Sequence, residues 1–185
     1  MPDSVAHPAL VIDVQQLLQE HGASAAGLEA VLDRVLDALA CAVGTLHRLD
    51  PTAGSLRLCA QRGLPAELLP RIETIPLGKG MAGIAAERRQ PVQVCNLQAD
   101  ASGVAKPAAR ETRMEGSIAV PLLEGNALRG VLGVAKPVVH EFTTAEIGLL
   151  EAVAGVLARF LGEKGVTASP RRPPSDHGEK IETSR

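Results

Sequence analysis

The sequence GKGMAG at residues 78–83 has the glycine spacing of a dinucleotide-binding loop, and Asp100 follows at the distance of a ribose-binding acid. Such a loop requires a buried parallel strand before it and β-α-β units after it. Glu73 and Pro76 interrupt the preceding extended run, and the clearest later element is a hairpin. The glycines therefore indicate a tight strand-to-helix turn, with Gly83 allowing close packing of the helix. Unpaired N–H groups at the start of that helix could still hold an anionic group.

The cysteines and histidines of the chain are the candidate metal, haem or redox ligands. Cys41, Cys59 and Cys95 cannot all pair, and no Cys/His cluster has metal-ligand spacing. His47 and His140 could each ligate haem, but an isolated histidine in a strand or beside a turn is more often structural. The sequence therefore predicts no metal site, no cofactor and no catalytic residue.

Composition and charge exclude several classes of partner. Lys and Arg total 19 against 21 Asp and Glu, so no broad cationic field is available for nucleic acid or anionic membranes. Two Phe, with no Trp or Tyr, leave little on which a base or a flat pigment could stack. The N-terminus lacks the basic region of a signal peptide, and no apolar run approaches the roughly 20 residues that span a bilayer. We therefore expect a cytoplasmic protein.

Periodicity predicts a mixture of helices and short strands in the first half of the chain. Apolar residues at helical spacing predict an amphipathic helix over residues 24–40, preceded by a shorter one from Ala9 to Glu20. Alternation then predicts two antiparallel strands around a Pro/Gly turn at residues 50–55. The remaining elements are a helical turn at Ala66–Leu69, a strand near Arg71–Ile75, a helix at Met81–Arg88 and a strand within residues 90–97.

The second half contains the clearest hairpin. The sequence GSIAVPLLEGNALRGVLGVAK alternates on both sides of Gly125-Asn126, which is typical of a two-residue β-turn. Pro121 cannot donate to a ladder, so its backbone nitrogen must face an edge, a bulge or a loop.

A long helix is predicted to begin after Thr143. Thr143 and Glu146 have the spacing of a capping box, and Phe142 and Ile147 that of a hydrophobic staple. The apolar surface of this helix is wider than one sheet-facing stripe, which indicates a second contact such as a partner helix.

These elements divide the chain into three parts. Residues 1–23 form an N-terminal extension or short helix, residues 24–162 a folded domain, and residues 163–185 a tail rich in Pro, Ser and charge that we expect to be disordered. No motif of an output enzyme or a DNA-binding element occurs before residue 24 or after residue 165. An output would then have to come from a partner protein or from dimer geometry.

Residues 24–162 resemble a GAF domain. The resemblance depends on three segments in this order: IPLGKGMAGIAAERRQPVQV, GSIAVPLLEGNALRGVLGVAK and FTTAEIGLLEAVAGVLARFL. The resemblance implies an α+β, GAF/PAS-like fold with a central antiparallel sheet of about six strands. Terminal helices would cover one face and often pair between subunits, and loops would roof a pocket on the other face. It also implies small-molecule sensing rather than catalysis, so we expect a protein that binds an unidentified metabolite and acts through a homodimer or a signalling partner protein.

The pocket is expected between the period-free segment Asn96–Glu115 and the strand that begins at Ser117, since a long segment without regular structure is often functional. Its polar side chains could fix a small polar or anionic metabolite, and Met81, Met114 and Ala119 could line an apolar wall. The predicted ligand-binding residues are Met81, Asn96, Asp100, Ser102, Arg110, Thr112, Met114, Ser117 and Ala119.

Two alternatives remain open. Free methionine-(R)-sulfoxide reductases resemble this chain in length and fold, but they carry cysteine directly after the glycine turn and again in the following loop. Here Met81 and Ala82 follow the turn, and Cys95 stands alone at the entrance of the loop. A thiol reductase needs a nucleophilic thiolate and a resolving partner, so enzymatic function is not expected. The other alternative is a ligand-free dimerisation module, which a solidly filled interior would indicate.

Overall fold

The computed structural model describes residues 6–104 and 107–163 and has the α+β fold that the sequence predicts. The strands are β1 (Val43–Asp50), β2 (Ser55–Arg62), β3 (Thr74–Pro76), β4 (Val92–Val94), β5 (Gly116–Glu124) and β6 (Ala127–Lys136). The helices are α1 (Ala6–His21), α2 (Ala25–Leu39), α3 (Leu69–Ile72), α4 (Gly80–Arg88), α5 (Pro107–Glu111) and α6 (Thr144–Glu163), with a 3₁₀ turn at Ala66–Leu68. The predicted tail, from residue 164 onward, lies outside the described residues.

Within the described residues, six strands form one antiparallel sheet in the order β3-β2-β1-β6-β5-β4. The β5–β6 hairpin turns at Gly125 and Asn126, as its sequence predicts. Pro121 pairs with Val131 on one side, and on the other side it lies beyond β4, which reaches only residues 117–119. Its missing N–H therefore faces an unpaired edge, which explains how a proline is tolerated inside a long strand.

Three helices cover one face of the sheet. The apolar stripes of α2 and α6 pack on inward-facing residues of the strands, and α1 packs against both helices. Leu149 and Val156, which widen the apolar surface of α6, are 6% and 1% exposed within the single chain. The second contact of α6 is therefore α1 of the same chain, whereas the sequence had suggested a partner helix.

The other face carries a smaller apolar cluster under α4. Its buried members include Leu56, Ala85, Ala119 and Val131. Most of these side chains are short, so this face buries less apolar volume than the face covered by the three helices. The space that remains on this face lies beside α4.

The glycine-rich turn has the structural role that its context predicts. Gly78 and Gly80 adopt φ values of 74° and 63°, which favour glycine, and they turn the chain from β3 into α4. A Cβ atom at Gly83 would collide with the carbonyl oxygen of Pro76. Because β3 pairs antiparallel with β2, no parallel crossover of the dinucleotide-binding kind surrounds this turn.

The segment before this turn differs from the prediction. A strand was expected near Arg71–Ile75, but residues 69–72 form α3 and the strand covers only Thr74–Pro76. Pro65 precedes the 3₁₀ turn, and Pro70 lies in the first turn of α3, where a missing N–H is tolerated. Pro65 and Pro70 therefore mark the starts of short helices here.

The start of α6 is held by a polar network around Glu146. Its carboxylate accepts from the Thr143 amide at 2.8 Å, and the Thr143 hydroxyl oxygen accepts from the Glu146 amide at 3.2 Å, which confirms the predicted capping box. His140 and Lys136 lie 3.0 and 3.1 Å from the same carboxylate. Burial raises the pKa of Glu146, but these hydrogen bonds and the Lys136 charge outweigh burial and lower the pKa to about 2 from its ordinary 4.5.

Replacing Glu146 with Gln should remove the charge while keeping a capping side chain. A lowered carboxyl pKa stabilises the fold above the unfolded value near 4.5, and that stabilisation is lost as the pH falls through about 2. We expect the variant to lose about 1–2 kcal/mol at pH 7 and to converge with the unchanged protein near pH 2. Urea unfolding between pH 2 and 7 measures this. Glu151→Gln, at an exposed position of α6, is the control, and an equal loss at every pH would contradict the assignment.

Candidate ligand-binding cavity

A cavity of about 330 Å³ lies on the face of the sheet opposite α1, α2 and α6. Its floor belongs to the three neighbouring strands β1, β6 and β5. Ligand pockets usually measure about 300–1,000 Å³, so this one suits a small metabolite. The floor residues are Val43, Thr45, His47, Ser117, Ala119, Gly133 and Ala135.

The floor leaves space because its residues are small. Ala119 on β5, and Gly133 and Ala135 on β6, point to the cavity side, whereas their neighbours Leu132 and Val134 point into the helical core. A Cβ atom at Gly133 would lie 2.8 Å from the Thr45 hydroxyl oxygen, so a larger residue there would press on the floor. Alternation of side-chain size along β5 and β6 therefore produces the cavity.

The roof of the cavity is formed by the 3₁₀ turn with α3, the first turn of α4, and α5. Leu68 and Leu97 close it with apolar side chains that are 5% and 2% exposed. The Arg71 guanidinium on α3 lies 2.6 Å from both carboxylate oxygens of Glu111 on α5. Both side chains are about half exposed, so this ion pair adds at most about 1 kcal/mol, but it joins two roof segments that share no ladder.

The first turn of α4 gives one side of the cavity a positive character. Lys79, Gly80, Met81 and Ala82 border the cavity, and the side chain of Lys79, the residue that precedes this helix, makes no capping hydrogen bond. The first N–H groups of a helix lack intrahelical acceptors and carry partial positive charge. Lys79 adds a full charge beside them, so this side of the cavity favours an anionic group.

His47 lies at the floor and is 2% exposed. Its Nε2 is 2.9 Å from the carbonyl oxygen of Ile72 at the end of α3. A carbonyl can only accept, so Nε2 carries the proton and donates. Burial lowers the pKa of His47, and the ring is therefore neutral near pH 7. Its Nδ1 is an acceptor with no hydrogen-bond partner among the described residues.

Four of the nine residues predicted to bind ligand line the cavity. Met81 lies at the start of α4, Ser117 and Ala119 lie on β5, and Thr112 follows α5. The Thr112 hydroxyl donates to the carbonyl oxygen of Ala109 at 2.6 Å, which ties the loop after α5 to that helix. The expected pocket between the long loop and β5 is thus present, but it also extends over β6 and β1.

The other five predicted residues do not line the cavity. Asn96 accepts from two backbone amides, Asp100 accepts from the Ser102 amide, and Arg110 donates to the carbonyl oxygen of Asp100. Met114 accepts at its carbonyl oxygen from the Gln98 side chain. These groups fold the loop upon itself, as short polar side chains often do in turns. Lys106, the other basic candidate of this loop, lies outside the described residues.

Several residues that line the cavity were not among the predicted site residues, chiefly Thr45, His47 and Arg71 together with Lys79 and Gly133. The alternation of Val43, Thr45 and His47 did predict that they share a face. A single strand pattern does not indicate which face meets the helices, however, because both faces of this sheet are apolar. Small residues at alternate positions of β5 and β6 were the signal that could have located the cavity.

None of the three cysteines lines the cavity. Burial raises the pKa of the Cys41 thiol to about 11, with a smaller opposing effect of Lys136, and burial also raises the pKa of Cys59. Cys95 is exposed. Among the residues that the structure describes, no group of three or more His, Cys, Asp or Glu is arranged to hold a metal ion.

The family follows from comparison with known proteins. A family profile for the GAF domain matches residues 25–161, which is most of the chain. The chain belongs to the GAF family. A search of curated proteins finds no significant match.

Solved structures share the fold at low sequence identity. The GAF domain of an Acinetobacter phosphoenolpyruvate-protein phosphotransferase is 19% identical, with a TM-score of 0.76 over 90% of this chain and 99% of that one. A putative GAF sensor protein from Burkholderia vietnamiensis is 24% identical, with a TM-score of 0.71 over 89% and 98%. A free methionine-R-sulfoxide reductase from Neisseria meningitidis, solved with its substrate, is 18% identical, with a TM-score of 0.71 over 86% and 92%. Both sensors and enzymes therefore occur on this fold.

Within residues 6–104 and 107–163, no helix combines the length and the apolar character needed to cross a bilayer.

Proposed function

We propose that this GAF domain is a sensory or regulatory module that binds a small metabolite in the cavity between the sheet and the roof. The observation that carries the proposal is the cavity itself, because protein interiors are normally packed with few voids larger than a water molecule. Its lining is mainly apolar with a few polar groups, which is typical of ligand pockets. A dimerisation module that binds no ligand is expected to fill this space with side chains.

The lining favours a ligand with an apolar body and an anionic group. The aliphatic floor and roof would bury the body, while Lys79 and the uncapped first turn of α4 would meet the anion. Neither Phe142 nor Phe160 lines the cavity, so a large flat pigment would find no aromatic surface to stack on. We therefore propose a small carboxylate or phosphate ester as the class of ligand.

We propose binding without catalysis. The alternative, a thiol enzyme related to the free methionine-(R)-sulfoxide reductases, needs a thiolate beside the bound substrate. No cysteine lines this cavity, and the raised pKa values of Cys41 and Cys59 disfavour their thiolates near pH 7. Free cysteines are also usual in the cytoplasm, where we place the protein.

Output is proposed to pass through a homodimer or a partner protein that contacts the helical layer. The apolar stripe of α2 is buried inside the chain, so the exposed surface of α1 and α6 is the better candidate. Ile12 on α1 is 51% exposed, and a Cβ atom at Gly148 or Gly155 on α6 would meet no atom within 4 Å. A helix of a second copy could approach this surface closely, with Ile12 at the contact.

Filling the cavity should abolish ligand retention. Native mass spectrometry of protein isolated from its own cells should show one small-molecule mass bound to the chain. Ala109→Phe places a large side chain in the roof and should lose most of that mass, because the space is no longer available. Ala99→Phe, at an exposed position outside the lining, should retain it. Absence of any added mass in the unchanged protein, or retention by the Ala109→Phe variant, would contradict the proposal.

The dimer surface can be tested with matched charge substitutions. Light scattering should give twice the chain mass of 19.2 kDa for the unchanged protein and a single chain for Ile12→Glu, since a buried carboxylate at an apolar contact is costly. Val138→Glu changes an equally exposed residue away from the helices and should stay dimeric. A single-chain mass for the unchanged protein would contradict the proposed dimer interface.

A further inference from the structure

The His47 ring connects the floor of the cavity to its roof through one nitrogen only. Nε2 donates to the carbonyl oxygen of Ile72, the last residue of α3. Nδ1 exposes less than 1 Å² and has no hydrogen-bond partner within the described part of the chain. Leaving a buried acceptor unpaired is unfavourable, so a hydrogen-bond donor placed beside Nδ1 would stabilise the ring.

Protonation of Nδ1 is not a favourable alternative to a hydrogen-bond partner. Burial disfavours the charged ring. The charged side chains that line the cavity are Arg71 and Lys79, both cations, and no carboxylate among the described lining residues faces the ring. An imidazolium would therefore lack a counter-charge, and Nδ1 remains a neutral acceptor.

We propose that Nδ1 of His47 accepts a hydrogen bond from an O–H or N–H group of the ligand, and so selects ligands that carry such a donor. This inference rests on the proposed function of the cavity. The ligand class then becomes a small anion with an apolar body, whose donor lies at the His47 floor and whose anionic group meets the first turn of α4. Thr45, two residues away on the same face of β1, lies beside that floor position.

Because Nδ1 exposes less than 1 Å², a ligand donor reaches it only after a small shift of the ring or of the segments packed on it. The ring and the Ile72 carbonyl are joined, and α3 is a single turn of four residues in the roof. A ligand that reaches Nδ1 would move the ring, and the Ile72 carbonyl at the end of α3 with it, while the Nε2 bond is kept. His47 would thus transmit binding of the donor to α3 in the roof.

Two substitutions separate the two nitrogens. His47→Gln places its amide nitrogen near the position of Nε2, so it can still donate to Ile72 but offers no acceptor near the position of Nδ1. His47→Asn places its amide oxygen near Nδ1, so it keeps an acceptor and loses the bond to Ile72. Circular dichroism and thermal unfolding of both variants identify the temperature range in which each is folded.

Three probes differ only at the donor position. They are 4-hydroxyphenylacetate, which has a donor, 4-methoxyphenylacetate, which has only an acceptor there, and phenylacetate, which has neither. By calorimetry, the unchanged protein should bind the hydroxy probe about ten-fold more tightly than the other two. His47→Gln should lose this preference while still binding phenylacetate, and His47→Asn should keep part of it.

A spectroscopic measurement reports on the nitrogen directly. Long-range ¹H–¹⁵N spectra should show the Nε2–H tautomer of His47, and the hydroxy probe should move the Nδ1 resonance upfield, whereas phenylacetate should not. Equal binding of all three probes, or an unchanged preference in His47→Gln, would overturn this inference and leave the cavity as a binding site. Failure of every probe at millimolar concentration would overturn this ligand class, while the native mass measurement decides separately whether the cavity holds a ligand.

Discussion

The two faces of the sheet differ in side-chain size, and the cavity depends on this difference. Leu122, Leu132 and Val134 fill the face beneath the helices, while Ala119, Gly133 and Ala135 leave the other face shallow. Because the side chains of a strand alternate between faces, one pair of strands can supply a tightly packed core and an open floor together. The three helices then stabilise the sheet without closing the cavity, and only short roof segments cover it.

Much of the fold could be predicted because its signals are local. The capping box at Thr143 and Glu146, the two-residue turn at Gly125-Asn126 and the glycine turn into α4 each depend on a few neighbouring residues, and all three are confirmed. The prediction near Arg71–Ile75 was wrong in its first half because prolines start a helix as readily as they end one. The contact of α6 with α1 depends on tertiary packing, which the pattern of one helix cannot specify.

The site was less predictable than the fold. Predicting the floor of the cavity requires knowing which face of β1 meets the helices. The roof combines segments that are distant in sequence. In the long loop, polar residues such as Asn96 and Arg110 resembled ligand contacts but bond to the backbone of the loop itself. The incomplete hydrogen bonding of His47 could not be read from the sequence, since it depends on the position of the Ile72 carbonyl and on burial.

We propose that the space between the small-residue floor and the roof holds a metabolite. A crystal structure of the protein isolated from its own cells tests it most directly. We expect continuous density for a small molecule in the cavity, with a polar group within hydrogen-bond distance of His47 Nδ1 and another beside the first turn of α4. A cavity filled by collapsed roof side chains, or by solvent alone, would contradict it.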